Sequence, residues 1–250
     1  MNCHPSQPGL ETSHRSRLPT PESDVSEANL SELVRDFMKS LQFKPHTSLH
    51  STSRLTEAMV SKLKTLGLSD VDYQRIQYLE SISCQYPLTC HKGLSFEAKL
   101  YIACFTILGL AIDDILEGSD LCQTFAQNFR LHDDMGHPLL NCYARLLVEE
   151  TTKIFDPYAV SNIISSAIDS VCAMHVESAY LRGIARPGTP FSLWFRLKSG
   201  YSMAYCFFAF PRDDFPESRW LKCYLPFLPN WATVMELIND WNGNLTNLLL

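Results

Sequence analysis

Twelve residues without a charge, Tyr101 to Ile112, lead directly into Asp113, Asp114, Ile115, Leu116, Glu117 and Gly118. A mostly apolar run of that length reads as a helix buried on nearly all sides, and the glycine stops it. The carboxylates then fall in its last turn. The helix dipole is negative there, so each acid costs about 0.3–1 kcal/mol unless a cation answers it. Two readings are open. The acids gather a divalent cation at the mouth of an apolar helix, or the helix simply reaches the surface and ends in solvated acids.

The chain contains its own comparison. Asp213, Asp214, Phe215, Pro216 and Glu217 match the same DDxxE pattern, but Pro211 precedes the pair and Pro216 lies inside it. Prolines there place the acids in a loop and at the start of the next helix, where the dipole favours them and no metal is needed. Asp133 and Asp134, followed by Met-Gly-His-Pro, read as a turn.

With 250 residues, 46% of them hydrophobic and 19% charged, the chain can bury the core of one substantial domain. A net charge of −6, with 27 acidic against 21 basic residues and no basic cluster, argues against nucleic acid as a partner. The nine cysteines are scattered without metal-ligand spacing, which points to reduced thiols and a cytoplasmic setting. The first thirty residues are polar and do not resemble a secretory signal. The longest apolar helix is expected to be too short to span a membrane.

Residues 1–29 read as a disordered tail and 30–250 as the folded domain. Helical spacing of Leu30, Leu33, Val34, Phe37, Met38 and Leu41 predicts a helix, followed by others over 53–66 and 70–83, the latter ended near Pro87. Ser95 is the predicted cap of the helix that ends at the Asp pair. Further helices are predicted over 121–131, 138–155, 158–183 and 191–210. A last one begins before Trp220 and runs, interrupted at Pro226 and Pro229, to about Trp241. The fold class is therefore all-α. Trp194, Phe195, Tyr201, Tyr205, Phe207, Phe208 and Phe210 crowd one segment, as they would in the wall of an apolar cavity or in ordinary core packing. Arg196, amid them, has no acid within a helical turn on either side. It needs an anion, either a diphosphate or an acid elsewhere in the bundle.

The order of DDxxE at Asp113, Arg196 in a stretch FRLKSGYSMAYCFFAFP, and Asn239-Asp240 some 43 residues later resembles the class I terpene cyclases. Within them it is most similar to the fungal trichodiene synthase family. The likeness covers roughly Leu30 to Trp241. It implies a terpenoid-synthase bundle around a central apolar cavity, three Mg²⁺ ions and farnesyl diphosphate as substrate. By resemblance, Asp113, with Asp114 and Glu117, holds magnesium, Asn239 holds another, and Arg196 senses the diphosphate. Asp113 and Arg196 are then the catalytic residues of a sesquiterpene cyclase. The sequence leaves a homodimer open. Competing readings are an inactive remnant that survives as a binding protein and, last, a chain-elongating prenyltransferase.

The family's late metal box continues with Ser four and Glu eight residues after Asn, on one helical face. Here those positions are Gly243 and Asn247, and Thr246 replaces the family's lysine. The expectation is a chain truncated at its C-terminus by translation into an unspliced intron, with the last helices missing. Sequencing the transcript checks this: the expected cDNA diverges after Trp241 and extends beyond Leu250, and one reading unchanged to a stop after Leu250 overturns it.

Overall fold

The computed structural model describes residues 52–180 and 189–242, the side chains of 189 and 237–242 excepted. The tail expected over 1–29, the helix expected at Leu30 to Leu41, and Gly243, Thr246 and Asn247 lie outside the described residues. Among those described, every regular element is helical, so the chain is all-α. In order they are α1 (Ser53–Thr65), α2 (Asp70–Ile76), α3 (Glu80–Cys90), α4 (Phe96–Leu116), α5 (Asp120–Leu131), α6 (Pro138–Arg145), α7 (Thr151–Ile154), α8 (Pro157–Tyr180), α9 (Thr189–Ser199), α10 (Ser202–Phe207), α11 (Glu217–Tyr224) and α12 (Leu228–Asn242). A π turn over Leu146–Glu150 joins α6 to α7.

The uncharged run forms the middle of α4, and Ser95 caps it by accepting the Ala98 amide at 3.2 Å. Tyr101 to Gly109 are all buried, as are Ala111 and Ile112. Their cover comes from α1, α3, α6 and α8. Phe105 is the hub, with the rings of Tyr143, Tyr201 and Phe208 packed edge-on at centroid separations of 4.9–5.7 Å. Edge-to-face packing sets positive ring edges on negative ring faces, which adds about 0.5–1.5 kcal/mol per pair to the burial itself. Two inward hydroxyls are answered locally: Tyr101 meets Thr151 at 2.7 Å and Tyr205 donates to Thr106 at 3.0 Å.

Three features differ from expectation. The segment expected over 70–83 is two helices joined by a 3₁₀ turn, and α3 continues through Pro87 to Cys90. Proline deletes one amide donor and costs about 3 kcal/mol in a helix interior; here its ring is buried, and burial offsets part of that cost. The segment expected over 191–210 breaks at Gly200 and Tyr201, where Tyr201 takes a left-handed backbone with φ 58°. Finally, α8 has 24 residues and a mean hydropathy of 1.2, enough by length and composition to span a membrane. The expectation that no helix is long enough is thus corrected. Its buried face, from Ala159 to Met174, packs on α5, α9 and α10, as a core helix does.

The second DDxxE match is structural. Asp213 is 91% exposed, whereas Glu217 accepts the Tyr158 and Ala159 amides at 3.2 and 2.6 Å and so caps α8. In return the Glu217 amide donates to Asp156 at 2.8 Å. The eight described cysteines are free thiols.

His91 follows α3, buried, with its ring edge-on to Tyr86 at 5.4 Å. Burial, and then Lys99, push its pKa down to about 4 from 6.5. The unfolded chain therefore binds the proton first as pH falls, so stability is full above pH 6.5 and drains until about pH 4. Between pH 7 and 5 the loss from this residue is about 2 kcal/mol. Denaturant titrations of His91→Phe should show a flatter pH dependence by that amount. An unchanged slope would mean that His91 accepts its proton in the folded state.

Candidate functional site

Three helices bring charge to one place. The first is the C-terminal turn of α4. Gly118, with φ 77°, lets the chain turn out of it, and a side chain there would press on Ser178 of α8 at 3.2 Å. In that turn Asp113 is open to solvent on one side and packed on the other. Burial, then Asp114 and Glu117, raise its carboxyl above the usual range, while Arg196 draws it back down. The acids expected to act together therefore repel one another as they stand.

Their surroundings differ. Asp114 accepts the Tyr78 hydroxyl at 2.6 Å and is committed to the turn before α3. Glu117 is exposed. Among the described residues no three His, Cys, Asp or Glu side chains are grouped so as to hold a metal ion. The donors are nevertheless hard oxygens in excess negative charge at a negative helix end, which suits a hard dication. Mg²⁺ keeps much of its water and binds through one or two carboxylates plus substrate phosphates, so a protein cage is not what it requires.

The second contribution is α9, which carries Arg196. Its position is set by the break that follows. Ser170 of α8 donates to the Lys198 carbonyl and accepts the Tyr201 amide, both at 3.0 Å, and Ser166 accepts the Ala204 amide at 3.3 Å. A left-handed tyrosine costs on the order of 1–3 kcal/mol, and these two serines fix the backbone that imposes it. Lys198 is tied to Asp169 of α8 at 2.6 Å. The Arg196 guanidinium is 31% exposed and donates to the Ser199 hydroxyl at 3.2 Å.

The third is α12. Glu236, 3% exposed, lies 3.5 Å from the Arg196 guanidinium. Of the two anions that Arg196 was expected to need, the structure thus supplies an acid of the bundle, and leaves part of the fork at the rim. Asn239 is on the same helix three residues later, with its side chain outside those described. The structure therefore brings Asp113 and Arg196 into electrostatic reach and joins Arg196 to the helix of Asn239, while Asp114 is bonded to Tyr78 and Glu117 is exposed. Sequence reasoning passed over Glu236, Tyr78, Ser170 and Gly200. A single glutamate one turn before the amide-acid pair was the only available signal for Glu236.

No family model matches the chain. It is 26% identical over 222 residues to longiborneol synthase of Gibberella zeae, covering 84% of this chain and 64% of that protein. It is 24% identical over 225 residues to (E)-beta farnesene synthase of Metarhizium brunneum, covering 88% and 66%. Over 163 residues it is 28% identical to terpene synthase BipA of Cochliobolus sativus, covering 64% and 48%. The chain spans less than two thirds of each of these proteins. Its relatives are fungal terpene synthases at low identity.

Crowded acids at a negative helix end should cost stability. Replacing Asp113 by Asn is expected to stabilise the protein by about 0.3–1 kcal/mol at pH 7 and low salt. The gain should shrink in 1 M salt, as the charges are screened. Thermal melting of the two proteins checks this, and a lower midpoint for the variant would show that Asp113 is favourably paired.

Proposed function

We propose that the chain is the catalytic region, at least in part, of a magnesium-dependent sesquiterpene cyclase of the trichodiene synthase kind, acting on farnesyl diphosphate. The observation that carries this reading is the meeting of three helix segments at one rim: Asp113 of α4, Arg196 of α9, and the α12 turn that leads to Asn239. Similarity to fungal terpene synthases supports it.

Asp113, with Asp114 and Glu117, would hold magnesium on one side, and Asn239 on the other. Bound there, the metal supplies positive charge that neutralises the departing diphosphate. Arg196, at the rim, would orient the diphosphate, and its permanent charge would stabilise the oxygens as the allylic carbon–oxygen bond breaks. The electron pair leaves with the diphosphate, so the protein needs no nucleophile. An apolar, water-poor pocket would keep water from the allylic cation, whose ring closure would use the substrate's own π electrons.

An inactive remnant with a binding role is the second reading. What favours it is the late metal box, where Gly243 offers no side-chain oxygen and Asn247 offers a neutral amide in place of a carboxylate.

Incubation of the purified protein with farnesyl diphosphate and Mg²⁺, followed by product analysis, separates the two. A sesquiterpene hydrocarbon or alcohol is the expected product, and unchanged substrate supports the remnant. Asp113→Ala and Arg196→Ala should each lower kcat/KM by on the order of a hundredfold, as loss of one charge-stabilising group does elsewhere; the melting midpoint should change little for Asp113→Ala and fall for Arg196→Ala, which takes a cation away from the buried Glu236. Equal turnover in all three proteins removes both residues from the mechanism.

A further inference from the structure

Tyr78 is the middle residue of the 3₁₀ turn Gln77–Leu79 that joins α2 to α3. Ile76 and Leu79, close on either side of it, are buried at 0% and 8% exposure, whereas Tyr78 itself is 61% exposed. The turn is thus pinned to the core on both sides while the ring lies out on the surface. From there its hydroxyl donates to Oδ2 of Asp114 at 2.6 Å. That is the length of a charge-assisted bond from a hydroxyl to a carboxylate. So exposed a ring is held little by packing, and the pinned turn and this bond set its direction.

The donor is neutral, and this decides what the contact is for. At the negative end of α4 a lysine or arginine beside Asp114 would relieve the dipole and also cancel the charge. A hydroxyl fixes the carboxylate and leaves its charge in place. It takes one oxygen, and Oδ1 has no bond among the described residues. Helix geometry sends the three acids in two directions. Asp113 and Glu117, four apart, share a face, and Asp114 lies about 100° round from Asp113. Asp114 therefore depends for its direction on a partner outside its own helix.

Carboxylates that hold metals are themselves hydrogen-bonded by partners that orient them. Resting on the reading that this helix end holds magnesium, we propose that Tyr78 is a positioning residue of the cation site: its hydroxyl holds Asp114 by Oδ2 and leaves Oδ1 to meet the metal. Tyr78 touches neither metal nor substrate. The same bond sets a preference among cations. Mg²⁺ demands a strict octahedron and is served by single oxygens, whereas Ca²⁺ takes more ligands and can use both oxygens of one carboxylate. An acid with one oxygen already engaged suits the first and disadvantages the second.

Cation binding measured without substrate tests the idea. Tb³⁺ is a hard ion whose luminescence the protein's aromatic rings excite, and its displacement by Mg²⁺ or Ca²⁺ gives the affinity for each. Tyr78→Phe removes one oxygen from an exposed side chain, so the melting midpoint should change little. The Mg²⁺ affinity of the variant should fall about tenfold, as it does when the partner of a metal-binding carboxylate is lost. Its Ca²⁺ affinity should hold or rise. In the Asp114→Asn background Tyr78→Phe should do nothing further, because its effect runs through Asp114.

Equal or tighter Mg²⁺ binding by Tyr78→Phe overturns the proposal. So does equal weakening toward both cations, the mark of a merely structural role, or effects of Tyr78→Phe and Asp114→Asn that simply add. Wild type from which Mg²⁺ displaces no Tb³⁺, or in which Asp113→Ala leaves that displacement unchanged, would instead refute the magnesium reading, and the role assigned to Tyr78 falls with it.

Discussion

One guanidinium between two unlike acids organises this end of the protein. Asp113 is at the surface, where water screens it and where the α4 dipole makes it unwelcome. Glu236 is inside, where leaving it unpaired would cost roughly 3–5 kcal/mol. Arg196 answers both, and the larger cost decides where it stays. The surface interaction is worth little by itself, since exposed pairs contribute about 0–1 kcal/mol. The consequence is a cation set between an interior acid and a surface one.

Such a group is only as well placed as the backbone that carries it. Arg196 is four residues ahead of Gly200, and the next residue is forced into a conformation that tyrosine seldom takes. Two serines of α8 hold that turn by bonds to main-chain groups, and Lys198 adds an ion pair to the same helix. The hydrophobic core enters here as well. Tyr201 turns its ring onto Phe105 in the middle of α4, so the strained residue that ends α9 is seated against the helix that presents Asp113. Core packing and site geometry are therefore one arrangement, and a change at Phe105 would be felt at the rim.

How much of this was legible in the sequence depended on range. The middle of α4, its Ser95 cap and its glycine stop are local signals, and each appears where the residues put it. The structural role of the second DDxxE match was also legible, because two prolines decide it within five residues. Pro87 misled because a proline's cost is local while its compensation, a buried ring, is tertiary. The break at Tyr201 was hidden by helix-forming neighbours on both sides, and the serines that impose it are more than thirty residues away. Arg196 announced its need for an anion by the absence of acids nearby. Which anion it met could not be read, since Glu236 is forty residues on and looks like any other helical glutamate.

The dispersal of the α4 acids also has a physical cause. Three carboxylates in one and a half turns at a negative helix end repel one another, and each has a different neighbour. Asp114 takes a tyrosine hydroxyl from the turn before α3, Glu117 turns to water, and Asp113 feels Arg196. A hard ion that brings its own water and needs only one or two protein carboxylates can bind to such a splayed set if the remaining oxygens arrive with a phosphate ligand. On the function proposed above, the site would be completed by its substrate. What the protein itself supplies at this rim is Arg196, in contact with the buried Glu236 and four residues ahead of a glycine whose side-chain space that carboxylate fills.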